Sequence, residues 1–258
     1  LTINPTPPKN SKFFEDDPIL GKFIVHAPIR RAILLIRAGI IYAVVTTVLQ
    51  IAFASFENTA AIFVLMTSFS LLSFGLGWYV LHLWNREVVL YERGFTYREG
   101  SQVTSIQYSE IVAIRQRAER IMFFGVMPRD IYEYTLLTKE DELIKLSNLY
   151  RGIDAVGPRL NAAIQKARRP IVDHLLSNGE TLVFHDHLNM TSTGLIQAEQ
   201  TLTWESIDNY RTVAGQLVIF NQPDKAWFTG RLEEIDNLTL LITLLRDHTG
   251  KNLQTNRS

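Results

Sequence analysis

Cysteine is absent from the 258 residues. That single absence excludes disulfides, thiolate zinc sites and cysteine nucleophiles. Net charge is missing too, since 26 Lys and Arg balance 26 Asp and Glu. No bulk positive field draws the chain to nucleic acid. The sequence holds no GxxxxGK[ST], no GxGxxG after a strand, no HExxH and no GxSxG. The usual phosphate-loop, dinucleotide, zinc-protease and serine-hydrolase signatures are thereby removed. The most informative absence is local: no charged residue lies between Arg37 and Glu57, and none from Asn58 to Asn85.

Those gaps are filled by apolar runs, AGIIYAVVTTVLQIAFASF and AAIFVLMTSFSLLSFGLGWYVLHLW. At about 1.5 Å rise per residue, about 20 residues cross a hydrocarbon layer roughly 30 Å thick. Each run suffices once. The polar break Glu57-Asn58-Thr59 is too costly to leave at mid-bilayer, so the chain turns there and returns. Tyr42, Trp78, Tyr79 and Trp84 supply interfacial aromatics. Gly39-x-x-x-Ala43 and Ser73-x-x-x-Gly77 are small-residue spacings that predict close approach of the two backbones. Arg30, Arg31 and Arg37 precede the first span, and Arg86, Arg93 and Arg98 follow the second. Basic flanks on both outer ends predict a two-pass protein of the plasma membrane with both termini cytoplasmic. Ala52-Phe53-Ala54 resembles a signal-peptidase site, but the long acidic lead before it and the second span after it argue against cleavage.

Residues 1 to about 20 are rich in proline and polar side chains and predict a flexible tail, with a membrane lead-in after it. Beyond Glu87 the texture changes. VVLYE, GFTYRE, QVTSIQY, IVAIRQR, IYEYTLLT and ELIKLSN are strand-length and rich in β-branched or aromatic residues. Ile153, Val156, Leu160, Ala163, Ile164 and Ala167 then recur at helical spacing, and Arg168-Arg169-Pro170 predicts a stop. LVFHDHLNM, QTLTWESIDNYRTV, GQLVIFN and KAWFTG follow as strands, and Ile235, Leu238, Leu241, Ile242 and Leu245 as a closing helix.

The two stretches align. Tyr91–Phe95 matches Phe184–Leu188, Ile106–Ile111 matches Leu202–Ile207, and Ile153, Asp154 and Leu160 match Ile235, Asp236 and Ile242. The spacing predicts a diverged internal repeat with extra residues in the first copy, near Ala118–Asp130. The LYERGFTY strand pair, the IQYSEI and LTWESI strands and a helix after each half resemble bacterial pleckstrin-homology-like (PH-like) families carried by membrane-anchored proteins. The resemblance covers residues 86–248 and implies a binding or scaffolding module, with no catalytic residues to carry over.

Chemistry is sparse. His185-Asp186-His187 in one strand would put both imidazoles on one face, but no neighbouring cluster supplies further ligands, so no metal is expected. Acidic pairs such as Glu233-Glu234 fit turns or helix starts. Charge is distributed unevenly: residues 85–169 hold 14 basic and 11 acidic side chains, and residues 170–258 hold 6 and 11. Around the extra segment, Arg115, Arg117, Arg120 and Arg129 lie beside Ile121, Met122, Phe123 and Phe124. Its composition fits membrane-surface contact, contact with a partner, or a cover for an open side of the fold.

The expected protein is an α+β membrane protein: a two-helix transmembrane hairpin followed by two PH-like β-barrel or sandwich modules, each closed by a C-terminal helix. The expected divisions are 1–31 (flexible N-terminal tail and membrane lead-in), 32–85 (hairpin), 86–169 (first module), 170–178 (linker), 179–248 (second module) and 249–258 (disordered tail). The expected function is non-enzymatic binding or scaffolding at the inner leaflet, without a cofactor. The expected partners are the bilayer, with anionic headgroups or a membrane-protein partner; the rival role is an accessory subunit. Homo-oligomerisation stays open.

Overall fold

The computed structural model describes residues 15–53, 59–123, 127–223 and 225–255, with the side chains of 59, 61, 120–123, 127–129 and 255 outside that description. The chain forms two compact units. One comprises the described residues among 1–91, 95–105 and 149–152; the other comprises the described residues among 92–94, 106–148 and 153–258.

In the first unit, Phe23–Pro28 forms strand β1. Asp17 prepares it: its Oδ1 accepts the backbone N–H groups of Ile19 and Leu20, both at 2.8 Å, making a local turn. Two helices follow, α1 (Arg31–Phe53) and α2 (Thr59–Trp84). The chain then returns as β2 (Glu87–Tyr91), which pairs antiparallel with β1 in the register Pro28↔Glu87, Ala27↔Val88 and His26↔Val89. β3 (Gly94–Glu99) and β4 (Gln102–Gln107) complete the sheet in the order β1-β2-β3-β4. The helix pair is therefore an insertion between two hydrogen-bonded neighbours of one sheet. Leu20, Val89 and Tyr91 bury one small cluster. Ile29, Leu34 and Leu83 bury another, with Val80, Trp84 and Leu149 against it, where the helices root in the sheet.

Away from that root the helices are apolar on every side. Leu34 and Ala38 are the buried residues of α1, while Ile51, Phe63, Phe74 and Leu81 are 70% to 75% exposed. The hydroxyls of Thr46, Thr47, Thr67, Ser68 and Ser70 donate to carbonyls four residues back in their own helix, at 2.8–3.0 Å. This is how a hydroxyl is satisfied without water.

The second unit holds β5 (Ile111–Phe123), β6 (Met127–Thr138) and β7 (Leu143–Ser147), paired antiparallel in that order. Helix α3 (Ile153–Ser177) follows. Then come β8 (Leu182–His185), β9 (Leu188–Thr191), β10 (Gly194–Gln197) and β11 (Gln200–Thr203) as one sheet. β12 (Asn209–Val213), β13 (Gln216–Gln222) and β14 (Lys225–Arg231) lead into α4 (Leu238–Thr249). A last short strand, β15 (Gln254–Thr255), lies parallel on β12. The core gathers Val172 and Leu176 of α3, Phe184, Met190, Leu195, Tyr210, Ile219 and Phe228 of the strands, and Leu241, Leu244 and Leu245 of α4.

Several expectations need correction. The lead-in before the helices is strand β1, because Phe23–Pro28 finds a sheet neighbour in β2 that no local pattern reveals. Pro170 does not end α3, and 170–178 is not a linker. An interior proline costs about 3 kcal/mol, but Val172 and Leu176 bury beyond it and Arg169 pairs with Asp173 and Asp247. The segment 249–258 is not a free tail through residue 255, since β15 is docked. The sheets are four open sheets, with no strand pairing that joins them into a barrel among the described residues. The compact units also divide the chain elsewhere than at the expected module boundary. Finally, Phe184–Leu188 sits at the β8–β9 turn, one strand before the place matching Tyr91–Phe95. Counting back from the short 3-10 turns at Tyr108–Glu110 and Trp204–Ser206, β3 stands where β10 stands. The extra residues of the first stretch are strand: β5 and β6 have 13 and 12 residues, against 5 and 7 in β12 and β13.

Candidate functional site

Three places bring functional side chains together. The first is the root of the helix pair. Arg31 opens α1, and its guanidinium lies 5.0 Å from the Trp84 ring centroid at the end of α2. That is an aromatic–cation contact at the level where an interface would lie. Arg86 pairs with Glu99 and stands 2.9 Å from His82, which is itself 3.0 Å from Glu99. A step deeper, His26 Nε2 meets Glu87 at 2.8 Å and Arg98 Nη1 meets it at 3.0 Å. The His26 hydrogen bond, with Arg98 adding to it, holds the Glu87 carboxyl below the usual range despite partial burial. Arg30 and Arg37 are in this unit, whereas Arg93 belongs to the other, where its carbonyl accepts the Tyr108 N–H at 3.0 Å.

The second place is a charged cleft of about 390 Å³ within the second unit, lined by Arg115, Arg117, Glu133, Lys145, Glu233 and Glu234 among others. Arg115 and Arg117 alternate along β5, so period-two geometry puts both on one face. The Arg115 guanidinium grips Asp236 with two bonds, Nε to Oδ1 at 2.7 Å and Nη2 to Oδ2 at 3.2 Å. That bond raises the Arg115 pKa. Arg117 reaches Glu119 at 2.9 Å and Glu233 at 3.0 Å. These two arginines, expected to serve membrane-surface or partner contact, are matched here by carboxylates. The cleft is zwitterionic. Arg120, Ile121, Met122, Phe123, Phe124 and Arg129 lie outside the described side chains; the backbone of β5 runs through Phe123 and that of β6 starts at Met127.

His185 and His187 do not share a strand face, because a tight turn separates β8 from β9. The His187 N–H donates to His185 Nδ1 at 3.1 Å, and the His185 ring packs edge-on to Phe228. Among the described residues no group of three or more His, Asp or Glu is arranged to hold a metal.

The third place was not foreseen from sequence. Asn237, 4% exposed, sits at φ +50° just before α4. Its N–H donates to the Ile114 carbonyl at 2.9 Å, its Oδ1 accepts the Ile114 N–H at 3.2 Å, and its Nδ2 donates to the Val112 carbonyl at 3.0 Å. Asn before an apolar helix signals an N-cap, yet here no side-chain cap bond forms. The amide is spent on the edge of β5 instead.

The small-residue spacings do not mediate close packing of α1 on α2. A Cβ at Gly39, Gly75 or Gly77 would meet nothing within 4 Å.

No curated protein matches the chain. The chain matches DUF6585, a family of unknown function, over residues 13–254, and it belongs to that family.

Proposed function

We propose that the protein is a non-enzymatic, two-pass membrane-anchored binding or scaffolding protein, with PH-like modules working at the inner leaflet. The observation that carries this reading is the exposure of the helix pair: two 23-residue stretches, long and apolar enough to cross a membrane, with few of their residues buried by protein. Contiguous apolar surface of that extent is not stable in water. The self-satisfied hydroxyls fit lipid, and the Arg30–Arg31 and Arg86 ends fit a cytoplasmic headgroup layer. The PH-like part of the reading draws on element order: four strands, a 3-10 turn, three strands and a helix occur twice, once with the hairpin inserted after the first strand.

The test is alkaline carbonate extraction combined with single-cysteine labelling, for which the cysteine-free chain is suited. The protein is expected to stay in the pellet. Asn58→Cys is expected to react with an impermeant maleimide on intact cells, and Ser177→Cys only after permeabilisation. Release into the supernatant would end the anchored reading, and reversed labelling would end the cytoplasmic one.

A second reading, an accessory subunit of another membrane protein, is favoured by the open surface at Gly75 and Gly77. Small residues facing outward let a foreign helix approach closely. Under this reading, crosslinking in the membrane traps a hetero-complex that Gly75→Leu with Gly77→Leu abolishes.

A further inference from the structure

The chain after α4 folds back onto the sheet. Gly250, at φ +68°, ends the helix in the left-handed conformation and turns the chain along the outer edge of β12. Lys251 Nζ donates to the carbonyls of Ile207 and Asp208, each at 2.6 Å. The Tyr210 hydroxyl donates to the Lys251 carbonyl. Leu253 packs against the core, and Gln254 and Thr255 pair with Arg211 and Thr212. A bare strand edge is thus met by a cation, an aliphatic side chain and a short ladder, which are the parts of strand-addition recognition.

The edge of β5 provides an internal comparison. Counted from the two 3-10 turns, Val112 occupies the place of Asp208. Both carbonyls accept from a side-chain nitrogen of a segment arriving later in the chain, Asn237 Nδ2 in one case and Lys251 Nζ in the other. The two occupants differ in how firmly they are held. Asn237 is sealed at 4% exposure, with Asp236 beside it clamped to Arg115. Lys251 and Gln254 are exposed, and the ladder touches two of the five residues of β12. One edge is closed by a buried joint. The other is a seat whose occupant stays largely exposed.

We infer that the outer edge of β12 is a recognition site for an extended peptide with the pattern lysine, any residue, aliphatic, then a strand-forming pair, and that residues 251–255 occupy it as an internal stand-in. The inference rests on the reading of the chain as a binding module and names the chemistry of its partner. Segment 251–255 is tethered next to the site, so its effective concentration is high, and free peptide competes poorly until the segment is removed.

The test uses the full-length protein in nanodiscs and a fluorescein-labelled GKNLQT peptide, read by fluorescence anisotropy. Replacing residues 251–255 by Gly-Ser repeats is expected to tighten binding by about a hundredfold over the unmodified chain. The same peptide with alanine for lysine is expected not to bind. A variant that keeps the parent melting temperature but binds no peptide overturns the inference, as does equal binding by both proteins. Native mass spectrometry showing a dimer that the replacement dissolves also overturns it, because the segment would then be exchanged between copies. If the replacement lowers the melting temperature, Lys251→Ala serves instead. It is expected to speed hydrogen exchange at Arg211, Thr212 and Val213 and to raise peptide binding, and no change in either measurement overturns the inference. A failure of membrane anchoring shows separately, in carbonate extraction.

Discussion

Asn237 and Ile114 pair like neighbours in a sheet: the Asn237 N–H donates to the Ile114 carbonyl, and the Ile114 N–H donates back to Asn237 Oδ1. One residue beside α4 thereby acts as a strand added to β5. Replacing it by alanine leaves the Ile114 N–H without its partner in a buried setting and the Val112 carbonyl without its partner in a partly buried one. The expected cost is about 2 to 4 kcal/mol. Asn237→Gly suits the positive φ better but loses the same side-chain bonds, so it is expected to be destabilised as well. Chemical denaturation in detergent, monitored by tryptophan fluorescence, checks both; a stable glycine variant would assign the role of Asn237 to backbone conformation alone.

Gly157 of α3 faces the ring of Tyr134 on β6. A Cβ at this position would lie 2.0 Å from Tyr134 Cε2 and 2.2 Å from Cζ. Glycine to alanine inside a helix ordinarily stabilises by about 1 kcal/mol. Here the overlap dominates, and Gly157→Ala is expected to destabilise by about 1 to 3 kcal/mol. Combining it with Tyr134→Leu relieves the clash, so the double variant is expected to lose less than the sum of the two single losses. Strict additivity in that cycle would show that helix and ring do not touch.

Glu87 predicts a pH dependence with a definite sign. Its folded pKa lies below the ordinary 4.5, through the His26 hydrogen bond first and the Arg98 bond with it. A depressed carboxylate contributes stability that is fully present above its unfolded pKa and is lost as pH falls through the folded value. The melting temperature is therefore expected to drop on acidification below pH 4.5. Glu87→Gln is expected to sit well below the parent protein near neutrality and to converge with it in acid. Parallel melting curves at every pH would remove Glu87 from the account.

The insertion of the helices between β1 and β2 makes excision a sharp test. Pro28 and Glu87 are partners in the ladder, so a short loop can join Arg30 directly to Arg86. That shortened protein is expected to be soluble and monomeric by size exclusion. A fragment starting at Arg86 lacks β1 and exposes the edge of β2, so it is expected to melt lower and to aggregate. Equal melting temperatures for the two would show that β1 contributes nothing to the sheet.

Much of this organisation was written locally. Two uncharged runs of spanning length, the strand-sized β-branched segments from Val88 onward and the spacing of Leu238, Leu241 and Leu245 each declare their element, because periodicity and burial are properties of a short window. The surplus in the first stretch was legible near Ala118–Asp130; its extension of the β5–β6 ladder depends on pairing, which no single strand encodes.

The residues that join elements were silent in the sequence. Phe23–Pro28 reads as a lead-in until β2 returns to bond with it, after both apolar helices have passed. Pro170 reads as a stop until Val172 and Leu176 find a core in strands that come later. Arg115 and Arg117 read as membrane-surface or partner contacts until Asp236 and Glu233 arrive from far along the chain. Sequence alone determined which segments are apolar, helical or strand-like, since those follow from nearest neighbours. The tertiary structure alone decided which edge each segment completes and which charge it cancels, because hydrogen bonds and ion pairs act over a few ångströms between residues that are remote in sequence.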